Sequence, residues 1–346
     1  MKAAVLREFG KPLVIEDVET PVPTANEVLI RMHACGIDGT DLKLLDGFGY
    51  HPELPFIMGH EPAGVIEQIG DAVTDINIGD RVVTHNFFMC GTCELCRDNR
   101  GQLCPNMTRV LGVKDAPGGY AEYMKIPERQ AIQLPDNISF KDAATLSDAG
   151  ITAFHAVDRA RIAAGETVLV IGVGGVGSYA VQFAKLRSAR VIAAEATAAK
   201  CAHALALGVD EVINSTDSNV TEQCRELTGG RGVDCVIDIV GKKSTIAAGV
   251  DSLFNGGRIV IVGYTTDSYP LNGKQLAQNE LEIIGTRCGR KQDLTAAAAL
   301  VSDGKVKSIV TDSAPLENVN EALARLRAGE VLGRCVLKIG QNPGQP

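Results

Sequence analysis

The stretch TVLVIGVGGVGSYAVQFAKLR, residues 167–187, limits the possible folds more than any other part of the chain. An apolar strand-like run leads into Gly172, Gly174 and Gly177, the G-x-G-x-x-G spacing, and the glycines open at once onto an Ala-containing helical pattern. Glycine at these places permits a tight turn. It also lets backbone amides approach a pyrophosphate at the helix N-terminus, where the dipole favours negative charge. The runs that follow, RVIAAE, EVINS, CVIDIV, GRIVIVG and LEIIG, are apolar and alternate with helical stretches such as KCAHALALG. Strand, helix, strand in this order implies a parallel sheet with right-handed crossovers and helices on both faces.

The second strand of that series ends at Glu195, eighteen residues after Gly177, where an acid can accept both ribose hydroxyls of a dinucleotide. Its charge would repel a 2′-phosphate, so NAD is expected rather than NADP, although Lys200 stands close enough in sequence to offset part of the repulsion. The plain alternative for Glu195 is a solvated carboxylate at a strand end. The expected cofactor-binding set is Gly172, Gly174, Gly175, Val176 and Gly177, with Glu195 and Lys200.

Before about Gly150 the pattern is different: short alternating runs, EVLIRMHA, AGVIEQIG, GDRVVTH and GGYAEYMKI, cut by Gly, Pro and Asp. This is a β-rich domain. After about Arg287 come two amphipathic helical segments and a last strand-like run, GRCVLKIG. With 346 residues, 45% hydrophobic content and a net charge of -8, the chain is long and apolar enough for two packed domains. No apolar run approaches a membrane span and MKAAVLREFG lacks a signal-peptide core, so a cytoplasmic protein is expected. The acidic balance argues against nucleic acid and for a small-molecule partner.

Four of the ten cysteines, Cys90, Cys93, Cys96 and Cys104, fall within fifteen residues as C-x2-C-x2-C-x7-C, in the polar, Gly-containing setting GTCELCRDNRGQLCPN. Four thiolates complete a tetrahedral zinc shell and leave no open position, so this zinc is expected to be structural, in a lobe at 86–106. The other six read as small buried residues.

In this order of features the chain resembles the zinc-containing medium-chain dehydrogenase/reductase family, mostly alcohol and polyol dehydrogenases. GHEPAGVIEQIGDAV, residues 59–73, matches the family's G-H-E-x2-G-x5-G-x2-V pattern, and the cysteine lobe is similar to the family's. The resemblance implies a β-rich GroES-like catalytic domain, 1–150 with 288–346, and a Rossmann NAD-binding domain, 151–287. It implies a homodimer or homotetramer, and two zinc ions per chain. The catalytic zinc would be held by Asp38, His60 and Asp148, with Glu61 as a displaceable ligand. Asp38 departs from the family's Cys, and a carboxylate is a competent zinc ligand that weakens discrimination against harder ions. The alternatives are a solvated loop acid at 38, Cys35 as ligand after a register shift, or loss of the metal.

The implied reaction is reversible oxidation of a secondary alcohol, polyol or sugar, the metal acting as Lewis acid and NAD taking the hydride. By resemblance Thr40 accepts the alcohol proton, Asp41 orients His60, and Arg334 meets the pyrophosphate, while Lys43 replaces the relay His of several family members. Phe48, Tyr50, Phe87 and Leu111 are candidate pocket residues. Two other classes remain open: a metal-free NAD(P)H-dependent enoyl reductase on the same fold, and a non-catalytic nucleotide-binding protein.

Overall fold

The computed structural model describes residues 1–340. It divides into two compact units, Met1–Gly150 together with the segment from Arg290 onward, and Ile151–Gly289. The return to the first unit comes two residues later than the break at 287 read from the sequence.

The first unit is organised by one long strand, Glu27–Ile37. Glu61–Ile69 pairs antiparallel along one side of it; Tyr123–Pro127 and Arg334–Lys338 share the other. Arg81–Thr84, Ala131–Gln133 and Val310–Pro315 extend the sheet outward. Ile30, Met32, Ile37, Met58, Ile66 and Leu337 fill a continuous apolar core around these strands. The register does the functional work. Gly36 faces Glu61 across one pair and Ile37 faces Cys335 across the other. Asp38, His60 with Glu61, and Arg334 therefore emerge at the same end of the sheet, although the first and last are almost three hundred positions apart in sequence.

The second unit is a doubly wound Rossmann sheet. Its six strands lie in the order Glu211–Asn214, Arg190–Glu195, Thr167–Ile171, Val233–Asp238, Leu253–Ile261, Glu282–Gly285, and every neighbouring pair is parallel. Chain order is thus 3-2-1-4-5-6, with the reversal beside the first strand, where such sheets bind dinucleotides. All of Thr167–Ile171 is buried, as a central parallel strand covered on both faces must be. Gly172 turns the chain at a φ of 87°, and the helix Gly175–Leu186 follows. A Cβ at Gly177 would stand 1.9 Å from the carbonyl oxygen of Gly172. Gly177→Ala should therefore spread the turn, destabilise this unit by about 1–3 kcal/mol and weaken dinucleotide binding. Thermal melts with and without NAD measure both effects; equal melting curves for variant and parent would contradict the close approach.

Candidate active site

Asp38 ends the strand Glu27–Ile37 and begins the helix Gly39–Leu45. Its Oδ1 accepts hydrogen bonds from the amides of Thr40 (2.7 Å) and Asp41 (3.2 Å), and Asp41 Oδ2 accepts one from the Asp38 amide (2.9 Å). This reciprocal cap satisfies amides that a helix start otherwise leaves open. D-G-T-D carries the signal for it, and neither the reading of Asp38 as a metal ligand nor that of a solvated loop acid included it. The same Oδ1 lies 3.6 Å from His60 Nε2. Asp148 Oδ2, from the π-helical turn Leu146–Gly150, lies 3.8 Å from that nitrogen.

One ligand atom from each of Asp38, His60 and Asp148 lies within 4.8 Å of the others. Ligands bound at ordinary Zn–N and Zn–O lengths to a tetrahedral ion stand roughly 3.3–3.6 Å apart, so the trio is spaced for one ion with slight contraction. His60 is buried, and among the described residues neither ring nitrogen has a hydrogen-bond partner. A buried imidazole left so is costly; an ion would engage Nε2, and Asp41 Oδ1, 3.4 Å from Nδ1, is placed to orient the ring. Asn86, which the sequence reading did not single out, joins the two loops: its Nδ2 donates to the carbonyls of His60 (2.7 Å) and Ser147 (3.1 Å). In VVTHNFF it stands in a polar break between two apolar pairs, which gives no signal of this role.

Glu61 falls outside the trio. Its Oε1 accepts from Arg334 Nη2 (2.9 Å) and from the amide of Ala149 (3.0 Å), beside Asp148. Its Oε2 occupies the space that a Cβ at Gly36 would take, 1.8 Å away. Arg334, expected at a pyrophosphate, is only 5% exposed, and its Nη1 lies 3.8 Å from Asp38 Oδ2. Cys35 is buried in the apolar core and is not among the spaced ligand atoms. Thr40 Oγ1 donates to Asp38 Oδ2 at 3.3 Å. Of the candidate pocket residues, Leu111 is buried in the core, which removes it from any open cleft; Tyr50 packs against the same core.

Charges in this cluster constrain one another. Burial works against ionisation of Asp38, but the neighbouring His60 and Arg334 hold its carboxyl well below the usual range. Burial likewise opposes charge on His60, and Asp38 and Asp41 override it, raising the imidazole well above its ordinary value. Glu61 is pushed up to about 8 by burial, against the pull of Arg334.

In the cysteine lobe, Cys90 Sγ is 3.9 Å from Cys96 Sγ, and Cys93 Sγ is 3.8 Å from Cys104 Sγ. Thiolates bound to a tetrahedral zinc stand about 3.8 Å apart, far beyond a disulfide. The amide of Cys93 points to Cys90 Sγ at 3.4 Å, and bonds from Thr92 and Cys93 draw the Cys90 thiol down to about 5.

At the glycine loop, Gly174 precedes the helix Gly175–Leu186 with no side-chain cap, and a Cβ there would meet nothing within 4 Å. The amides of Gly175, Val176 and Gly177 open that helix, as an anion site requires. Glu195 is 6% exposed, not a solvated strand end: Oε1 accepts from the Val173 amide and Oε2 from the Ala196 amide (3.1 Å). Lys200 lies on the first turn of the helix Ala198–Ala206 and is partly exposed.

Two substitutions separate the roles described. Asp38→Asn keeps a side-chain oxygen for the helix cap but loses the anionic ligand. Its stability should stay within about 1 kcal/mol of the parent, while dialysis against a chelator should leave one ion per chain, that of the cysteine lobe; two ions per chain retained on the variant would refute the ligand assignment. Cys93→Ser should lower zinc by one ion per chain and expose the lobe to protease, because a closed thiolate site contributes folding free energy. Unchanged zinc content and protease resistance would count against it.

The chain matches the family Alcohol dehydrogenase GroES-like domain over residues 24–136 and the family Zinc-binding dehydrogenase over residues 175–303. It is 36% identical over 341 residues to an alcohol dehydrogenase of Geobacillus stearothermophilus, covering 98% of this chain and 100% of that one. It is 34% identical to the NAD-dependent alcohol dehydrogenase of Sulfolobus acidocaldarius, over 98% and 100% of the two chains. The crystal structure of the alcohol dehydrogenase from Aeropyrum pernix superposes with a TM-score of 0.91 at 37% identity, covering 98% of this chain and 100% of that one. Full-length similarity of this degree, on a fold that carries both metal-spaced clusters, places the chain in the zinc-binding alcohol dehydrogenase family of medium-chain dehydrogenases.

Proposed function

We propose that this protein oxidises a small-molecule alcohol with NAD, at a divalent ion held by Asp38, His60 and Asp148. The observation that carries the reading is the convergence of those three ligand atoms around a buried, unpartnered imidazole. A bound ion supplies Lewis acidity that lowers the pKa of an alcohol oxygen. Two carboxylates and one imidazole accept zinc and also harder ions, so the chain's own groups set how tightly zinc is kept.

Thr40 holds the alcohol proton. With its hydrogen directed to Asp38 Oδ2, Oγ1 has lone pairs free for the substrate hydroxyl. Lys43, one turn further along Gly39–Leu45, is half-buried, and that burial lowers its pKa while Asp38 raises it. The lowered pKa favours a proton-passing role for it. Arg334 and Glu61 keep the ligand segments in place from behind. The Gly172–Gly177 turn and the amides that open the helix Gly175–Leu186 would hold the pyrophosphate of NAD, and Glu195 would accept its ribose hydroxyls. Assembly as a homodimer or homotetramer is supported by the edge strand Glu282–Gly285, which is paired on one side only. A cytoplasmic setting is supported by ten cysteines that stand outside any disulfide, four of them spaced as zinc ligands.

Elemental analysis together with NAD-linked turnover of secondary alcohols, polyols and aldoses tests the proposal. Two ions per chain and NADH formation are expected. One ion per chain with NADPH-dependent reduction of an enone would replace this reading with the reductase. For the cofactor, Glu195→Ala should lower kcat/KM for NAD and narrow its advantage over NADP by about tenfold or more, since charge-assisted ribose bonds are worth about 1.5–3 kcal/mol. A constant NAD-to-NADP ratio would remove Glu195 from the ribose site.

A further inference from the structure

A cavity of about 370 Å³ lies in the first unit, away from every residue assigned above to metal, proton transfer or cofactor. Its volume is within the range of small-molecule sites. Val18, Ile57 and Met124 give it an apolar lining, and Phe88 and Arg109 form part of its wall. The Arg109 guanidinium lies over the Phe88 ring, 4.6 Å from the centroid, which fixes its plane. Two further cations belong to lining residues: Lys125 is engaged by Glu27 (3.1 Å) and by the carbonyl of Val22 (3.1 Å), and the Met1 ammonium donates to the carbonyl of Val18 (2.8 Å). Among the described residues Arg109 pairs with no carboxylate; Glu19, also in the lining, is exposed and stays solvated.

We propose that this cavity binds a medium-chain carboxylic acid, with its alkyl chain along Val18, Ile57 and Met124 and its carboxylate on Arg109. One oriented guanidinium offers two parallel N–H donors, which match a carboxylate. A phosphate dianion would call for further cations, and Lys125 is already neutralised by Glu27. An uncharged hydrocarbon would make no use of Arg109. The occupant would also touch the backbone that delivers a proposed metal ligand. Ile57 is three residues before His60; the Gly118 amide donates to the Ile57 carbonyl (2.8 Å) and the Gly119 amide to the Gly59 carbonyl (2.8 Å).

The test is calorimetric titration of the metal-loaded, full-length protein with octanoate and with octanamide, its uncharged analogue, followed by amide hydrogen exchange. Octanoate should bind about tenfold more tightly than octanamide, the worth of a charge-assisted bond pair. Arg109→Gln should abolish that preference and leave alcohol oxidation unchanged, because Arg109 takes no part in the proposed chemistry. Exchange should slow at Gly118 and Gly119 when octanoate is bound. Undiminished octanoate preference in Arg109→Gln, equal binding of the two probes by the parent, or exchange protection confined to the Asp38–Asp41 loop would each overturn the proposal. The last outcome would place the acid at the metal instead.

Discussion

The metal centre depends on a buried guanidinium. Asp38, Asp41 and Asp148 lie within 4 Å of His60, and Glu61 lies against Arg334. Carboxylates at that density could not stay ionised without cations to oppose them. His60 meets the first three, and Arg334 meets Glu61 and Asp38. Burial disfavours charge even on a guanidinium, yet Glu61, Asp38 and Asp148 raise its pKa further still, so it remains a cation throughout. Removing one partner from such a pair costs about 3–5 kcal/mol, because the other is left charged and alone. Here the loss would also free Asp38 and the Ala149 amide, the neighbours of two proposed ligands.

Seen this way, the exchange of the family's Cys for Asp38 is more than a swap of donors. A thiolate at this place could not accept the Thr40 and Asp41 amides at oxygen distances. The carboxylate caps the helix Gly39–Leu45 through the oxygen that faces His60, and leaves the other oxygen to Thr40 and Arg334. Amide donors on that oxygen draw off electron density that would otherwise go to an ion. The site thereby gains a weaker donor and a better-anchored one.

Much of this was legible in the sequence, for physical reasons that differ from place to place. The glycine turn and its strands were readable because a central parallel strand must be apolar throughout, and Gly172 and Gly177 meet backbone limits that no other residue satisfies. The cysteine lobe was readable because its four ligands are local. The metal trio needed the resemblance, since nothing in spacing alone unites positions 38, 60 and 148. The functions of Asn86 and Arg334 stayed hidden because they arise from strand register and tertiary packing. Asn86 shows no periodicity, and nothing in GRCVL announces that Arg334 pairs with Glu61. Glu195 stands at the strand end read from the sequence, and the fold adds that it braces the glycine turn through the Val173 amide.

The strand Arg334–Lys338 is the last of the described strands in chain order, and it lies inside the first sheet, between Glu27–Ile37 and Val310–Pro315. During synthesis the Rossmann unit, Ile151–Gly289, has all its strands available before that insertion can occur. Until residue 334 leaves the ribosome, the carboxylates of Asp38 and Glu61 have no guanidinium to settle on, and the sheet that carries them lacks an interior member. Chain order thus imposes a schedule: the nucleotide-binding half can mature on the nascent chain, whereas the metal centre can close only once Arg334–Lys338 has been made and has paired with Glu27–Ile37.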